Sequence, residues 1–256
     1  MGSLYVTRDG GRNVPAYPRE SQWATVSGMD RDRKSDGDRT RLVAIDVPFD
    51  DAAIQGVLHL PDQPKAGLAL THGAGGNANS PMLRLVAERL GVRGVAVLRY
   101  NLPFRVKRAS GPPSRSAAGV DRAGIAAAVK LLRTYVSGPV LVGGHSYGGR
   151  QASMLAADQP TVADGLVLFS YPLHPPGKPE RARTEHLPAI AIPSLFVHGD
   201  RDPFGSLEEL HAATELIPAR VRLLEVAQAG HDLGGGKKTH IADDAVDAIV
   251  DMFGIG

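Results

Sequence analysis

The chain has 256 residues, enough for one large domain, or for a domain of somewhat over 200 residues with a tail. With 43 % hydrophobic and 22 % charged residues it reads as an ordinary globular protein, and its lack of cysteine removes disulfides, thiolate zinc sites and cysteine nucleophiles. A formal net charge of +2 with both signs interspersed points to no nucleic-acid partner, and no apolar run of about 18 residues spans a membrane.

Residues 1–39 differ from everything that follows. Met1-Gly2-Ser3-Leu4-Tyr5 lacks the basic stretch and apolar run of a secretory leader, so a cytoplasmic location is the expectation. Asp30 to Arg39 is almost wholly polar and has too little apolar area to offset the entropy of ordering. We expect a disordered tail over 1–39, with Met29 a candidate alternative start, and one folded domain over 40–256.

From Leu42 the pattern changes. Leu42–Val47 and Ile54–Leu60 are β-rich runs joined through Asp50-Asp51, an antiparallel hairpin. Gly67–Thr71 is a short apolar strand ending at His72-Gly73. Ser80-Pro81 supplies an N-cap and a first-turn proline for a helix through Leu90. Val95–Arg99 is the next strand, and an Ala-rich helix runs from about Ser116 to Tyr135. Val140–Gly143 is a strand, followed by a glycine-bracketed turn and a helix to about Ala157. Leu166–Phe169, Leu195–His198 and Arg222–Val226 complete the strands, with helices after Ser206 and over Ile241–Met252. Alternating strands and helices predict a mostly parallel sheet of about eight strands with helices on both faces.

Gly144-His145-Ser146-Tyr147-Gly148 is a G-x-S-x-G pattern between a strand and a helix. A serine there sits on a strained turn that lifts its hydroxyl above the sheet, and the glycines let strand and helix backbones approach. The alternative is a serine in an ordinary glycine-rich turn. A serine hydroxyl needs a base, and the base needs an acceptor that fixes its tautomer. Gly199-Asp200-Arg201-Asp202 follows one strand and Gly230-His231 follows the last, in the chain order serine, acid, histidine. We take Ser146 as nucleophile, His231 as base and Asp202 as acid, with Asp200 capping the turn. His231 taken alone would be a solvated loop histidine; three ordered loops argue otherwise.

His72-Gly73-Ala74-Gly75-Gly76 follows the third strand, where an esterase-type loop would supply an oxyanion donor. The Ala74 and Tyr147 backbone N–H groups are the candidate pair. The same loop, Gly73-Ala74-Gly75-Gly76-Asn77-Ala78, also fits a dinucleotide fingerprint, with Arg99 available to a 2′-phosphate. That NADP reading leaves the other two loops unexplained. No cofactor and no metal site is expected.

These motifs, with Asn79-Ser80-Pro81, Arg99-Tyr100-Asn101-Leu102-Pro103-Phe104-Arg105 and Ser170-Tyr171-Pro172-Leu173-His174-Pro175-Pro176-Gly177-Lys178-Pro179, resemble the dienelactone-hydrolase-like branch of the α/β-hydrolases. Within it the chain is similar to small predicted bacterial hydrolases and to the hydrolase-like domains of testis-expressed protein 30 and of subunit 3 of the NSL histone acetyltransferase complex. The resemblance covers roughly 41–254. It implies the α/β-hydrolase fold and the same three catalytic positions, while the substrates of such relatives are poorly defined; the residues themselves lead us to expect hydrolysis of an ester or thioester through an acyl-enzyme. Some eukaryotic members act as complex subunits, so a catalytically silent interaction module is the rival reading.

About 23 residues separate Phe169 from Pro193, too few for a folded lid, which favours a small or soluble acyl substrate in an open site. Arg99, Arg105, Lys107 and Arg108 follow the fourth strand at the expected rim. Arg105 is the candidate for a substrate carboxylate and His174 for shaping the acyl pocket, against a solvated basic loop and a rigid rim.

Overall fold

The computed structural model describes residues 40–49 and 52–255. The tail expectation for 1–39 and the hairpin turn at 50–51 lie outside them. The strands are β1 (Thr40–Phe49), β2 (Ala52–Pro61), β3 (Ala66–Thr71), β4 (Val95–Tyr100), β5 (Val140–His145), β6 (Gly165–Phe169), β7 (Ser194–Gly199) and β8 (Val221–Val226). They form one sheet in the order β1-β2-β4-β3-β5-β6-β7-β8. The β1–β2 hairpin is antiparallel as expected, β2 meets β4 antiparallel, and every pairing from β4 to β8 is parallel.

The helices are α1 (Pro81–Val92), α2 (Pro103–Lys107), α3 (Ala117–Leu132), α4 (Tyr147–Asp158), α5 (Leu207–Thr214) and α6 (Thr239–Phe253). Strand alternation sorts the core into two layers. Val95 and Val97 of β4 pack with α1 and α6, whereas Ala96, Leu98 and Tyr100 pack with α2, α3 and α4. Strands β3, β4 and β7 are buried at every position, which is what covering both faces of a parallel sheet requires. Between β6 and β7 the chain makes only two 3₁₀ turns, Pro179–Arg181 and Leu187–Ala189, so no lid domain stands there. Among the described residues no helix is long and apolar enough to cross a membrane.

Two local features depart from expectation, the cap of α1 and the helix α2. Ser80 occupies the N-cap of α1, but its side chain makes no cap hydrogen bond; its hydroxyl donates to the Asn77 carbonyl at 2.8 Å. Helix α5 does carry a complete capping box, with Ser206 and Glu209 satisfying each other's backbone N–H groups. Helix α2 stands where a basic loop was expected, because five residues starting at a proline are too few to show helical periodicity. Helices α1 and α6 are joined by two ion pairs, Arg89–Asp243 at 2.7 Å and Arg93–Asp247 at 2.6 Å.

Candidate active site

All the sequence-predicted loops leave the C-terminal ends of the parallel strands. Strand β5 runs into Ser146, a non-glycine residue held at φ 51°, ψ −117°. Crowding enforces the turn. A Cβ on Gly148 would lie 2.5 Å from the His72 oxygen, and one on Gly144 would lie 2.9 Å from the Gly148 carbonyl carbon. The Ser146 N–H donates to the Phe169 oxygen at 2.8 Å, tying the turn to β6.

His231 comes from the loop after β8. The Ser146 hydroxyl donates to its Nε2 at 2.8 Å, and its Nδ1–H donates to Asp202 Oδ2, also at 2.8 Å. The Asp202 carboxylate is fully buried, and its Oδ1 accepts the Phe204 N–H at 2.9 Å. That bond corrects one expectation: the cap of this turn is Asp202 itself, while Asp200 is exposed. A carboxylate one bond from the turn's own amide is fixed in direction, which frees its second oxygen for the imidazole.

Two contacts to His231 were not anticipated. The Phe204 ring lies against the imidazole with centroids 4.2 Å apart, and His145 Nε2–H donates to the His231 carbonyl at 2.7 Å. Burial lowers the pKa of His145 below its ordinary value. An apolar residue two positions after the acid, and a histidine directly before the nucleophile, were the available signals.

The Gly-rich loop faces the elbow. Among the described residues neither the Ala74 nor the Tyr147 N–H donates to another protein group. His72 anchors the loop's start. The Leu102 N–H donates to its Nε2 at 3.1 Å and its Nδ1–H donates to the Gly73 oxygen at 2.8 Å. Burial pushes His72 down to about 4, so the ring is neutral at physiological pH and keeps both roles. Across the gap, the Tyr147 hydroxyl donates to Asp121 Oδ2 at 2.8 Å, and Asp121 Oδ1 accepts the Phe104 N–H at 3.0 Å. Burial raises the pKa of Asp121, opposed by these two hydrogen bonds. Its position in the apolar stripe with Ile125, Ala128, Val129 and Leu132 was a readable sign of a buried acid.

Ser146, His231, Asp202, Ala74 and Tyr147 are thus brought together; Arg105 lies behind the Gly-rich loop and His174 beside α5, and neither lines the cavity over Ser146. Arg105 is only 6 % exposed, and its guanidinium donates to the carbonyls of Ala74, Gly76, Arg108 and Gly111, leaving no open face for a substrate carboxylate. His174 lies beside α5, its Nδ1–H donating to the Pro175 oxygen and its Nε2 at 3.3 Å from Glu209. Its groove, lined also by Leu216 and Thr184, contains none of the residues around Ser146. Arg99 is buried as well, donating to His59 Nε2 and Asn79 Oδ1, and burial beside that cation pushes His59 down to about 3. A 2′-phosphate would find no accessible charge there, which removes the support for the dinucleotide reading.

A cavity of about 460 Å³ opens over Ser146, walled by Ala74, Pro81, Met82, Leu83 and Phe204, with Asp232 at its edge. Pro81, Met82 and Leu83 are the first turn of α1. The wall is mostly carbon, the form expected of a site for a small apolar group.

Comparison with known proteins bears on this arrangement. A family model described as alpha/beta hydrolase domain matches residues 64–252. A dienelactone hydrolase from Anabaena variabilis superposes with a TM-score of 0.67 at 21 % identity, covering 84 % of this chain and 97 % of that one. Est1E from Butyrivibrio proteoclasticus, solved with ferulic acid bound, superposes with a TM-score of 0.67 at 18 % identity, covering 82 % and 100 %. XC6422 from Xanthomonas campestris, described as an α/β serine hydrolase without lid, gives 0.65 at 16 % identity over 84 % and 94 %. At these identities the structural likeness concerns the fold.

Proposed function

The chain belongs to the alpha/beta hydrolase domain family, and from that premise we propose that it is a serine hydrolase cleaving esters or thioesters of small, uncharged acyl groups. The observation that carries the reading is the hydrogen-bond chain from buried Asp202 through His231 to a serine held at positive φ.

In the proposed cycle the Ser146 oxygen attacks the substrate carbonyl carbon while its proton passes to His231 Nε2. The negative oxygen of the tetrahedral intermediate is held by the Ala74 and Tyr147 N–H groups. His231 then gives its proton to the leaving alcohol or thiol, and the acyl group stays on Ser146. Water attacks the acyl-enzyme, losing a proton to His231; as the intermediate collapses that proton returns to the Ser146 oxygen and the carboxylic acid departs. Asp202 stays ionised throughout and fixes the imidazole. The apolar cavity wall, with no Lys or Arg among its described lining residues, favours an uncharged acyl group, and the short connection between β6 and β7 leaves that side of the mouth open to water-soluble substrates.

The test is a fluorophosphonate probe on the folded full-length chain, read by peptide mass spectrometry. The expected result is one adduct, on Ser146, absent in Ser146→Ala. With p-nitrophenyl esters, acetate should turn over faster than long-chain homologues, and Asp202→Asn should lower turnover by about 10⁴-fold. A folded protein that takes no label at Ser146 would instead be a silent interaction module.

A further inference from the structure

Resting on the serine-hydrolase reading, we propose that Arg105 is the positioning residue that sets the geometry of the oxyanion loop. One guanidinium reaches that loop twice. Its Nε–H donates to the Gly76 oxygen at 2.9 Å and its Nη2 donates to the Ala74 oxygen at 2.8 Å. The same group holds the segment after α2, through Nη2 to the Gly111 oxygen at 3.1 Å and Nη1 to the Arg108 oxygen at 3.2 Å. A rigid planar fork can satisfy acceptors on two backbones at once, which an ammonium cannot do with fixed angles.

The loop needs an outside hold. Gly73 to Gly76 contains one turn hydrogen bond, from the Gly76 N–H to the Gly73 oxygen at 3.1 Å. Gly75 is exposed, and a Cβ there would meet nothing within 4 Å, whereas Gly73 and Gly76 are confined by His145 and Ser80. Glycines without packing have wide conformational freedom. The Ala74 carbonyl fixes the peptide plane that follows Ala74. Holding the Gly76 carbonyl places Gly76, whose N–H donates to the Gly73 oxygen at 3.1 Å, and that oxygen shares its peptide plane with the Ala74 N–H. All four acceptors are neutral carbonyls, so they do not cancel the cation's charge. It therefore stands on the very residue whose N–H is to face a developing negative oxygen.

The neighbouring residue braces the opposite donor. Phe104 meets the rings of His72 and Tyr147 edge-on at 5.7 Å each, and its N–H shares Asp121 with the Tyr147 hydroxyl. The Arg105 guanidinium lies 4.9 Å from the centre of the Phe104 ring. Two consecutive residues of α2 thus connect to both halves of the oxyanion hole.

The experiment compares wild type with Arg105→Met and Arg105→Lys on p-nitrophenyl acetate, well below each variant's melting temperature. Arg105→Met should lower kcat on the order of 10- to 100-fold, short of the loss of a whole donor, with KM within about threefold. Affinity for phenylboronic acid, whose adduct on the serine puts an oxygen in the hole, should fall by a similar factor. Arg105→Lys should recover part of both, since an ammonium keeps the charge and reaches some of the carbonyls. A merely structural arginine predicts a lower melting temperature with kcat and boronate affinity of the folded enzyme unchanged, and that result overturns the proposal. If Arg105→Met does not fold, Arg105→Lys decides, because wild-type kcat and boronate affinity there exclude a role for the fork. A wild-type enzyme that labels at Ser146 while both variants keep kcat sinks the role of Arg105 alone; failure of wild type to label at Ser146 sinks the hydrolase reading and this inference with it.

Discussion

The turn that carries Ser146 and the turn that carries Ala74 are both built on glycine, but they are held differently. In the first, glycine is demanded by contact: Gly144, Gly148 and Gly149 lie where a Cβ would run into backbone atoms at 2.5–2.9 Å. The elbow is rigid because strand, helix and neighbouring loop leave no room for any other path. In the second, a Cβ on Gly73 would lie 2.9 Å from His145 Nδ1 and one on Gly76 2.8 Å from Ser80 Oγ, both side-chain atoms, while Gly75 stands in open space; His72 holds one end of the loop and the Arg105 guanidinium the other. One half of the proposed oxyanion hole is held by backbone against backbone, and the other leans on side chains and directed hydrogen bonds. The contrast matters because exclusion withstands changes of solution conditions, whereas hydrogen bonds to a titratable or charged group can be altered one at a time.

The comparison can be broken or sharpened by experiment. The largest effect is expected at the crowded turn. Gly148→Ala would put a methyl 2.5 Å from the His72 oxygen and 2.7 Å from Thr71 Cγ2, and should destabilise the protein by about 3 kcal/mol or more in urea denaturation. Wild-type stability in that variant would refute the steric account of the elbow. An effect of comparable total size, but spread over the acid range, should appear as pH falls. His72 titrates at about 4 when folded and at about 6.5 when unfolded, so between those values the unfolded chain binds the extra proton. Stability is therefore full above about pH 6.5 and lost as pH falls to about 4, by up to about 1.4 kcal/mol for each pH unit. His59 shifts in the same direction, so the diagnostic is the difference between wild type and His72→Gln. The variant's acid limb should be flatter; an unchanged slope would remove His72 as the sensitive anchor. The smallest effect belongs to Gly75→Ala. With no atom within 4 Å of the added methyl, stability should be unchanged or raised by up to about 1 kcal/mol, and a loss above that size would show hidden crowding in the loop.

The same division explains what could be read from the chain. The eight strands, the antiparallel hairpin and the Ser146 elbow were legible because each is local: alternation, β-branched runs and glycine spacing act over a few residues. Asp202 over Asp200 was legible for the same reason, although the turn cap was assigned to the wrong one of the two. Arg105 and His174 were misplaced because their partners are backbone carbonyls and a helix cap, and no residue pattern marks a carbonyl as an acceptor. Helix α2 was missed for want of length, and with it went the link from Phe104 to Tyr147 through Asp121. Asp121 itself was readable, as a carboxylate on an otherwise apolar helix face.

The paired ion bridges between α1 and α6 are exposed and each contributes little energy, about 0–1 kcal/mol by the usual measure. Their position gives them another use. The segment between His231 and α6 touches α1 at its near end, where Gly236 sits against Pro81, and is tethered again by Asp243 and Asp247 on Arg89 and Arg93. His231, the proposed base, is thereby linked to the helix whose first turn walls the cavity over Ser146. A residue change that tilts that helix should therefore shift the His231 segment as well, which would couple pocket size to proton transfer in the proposed reaction.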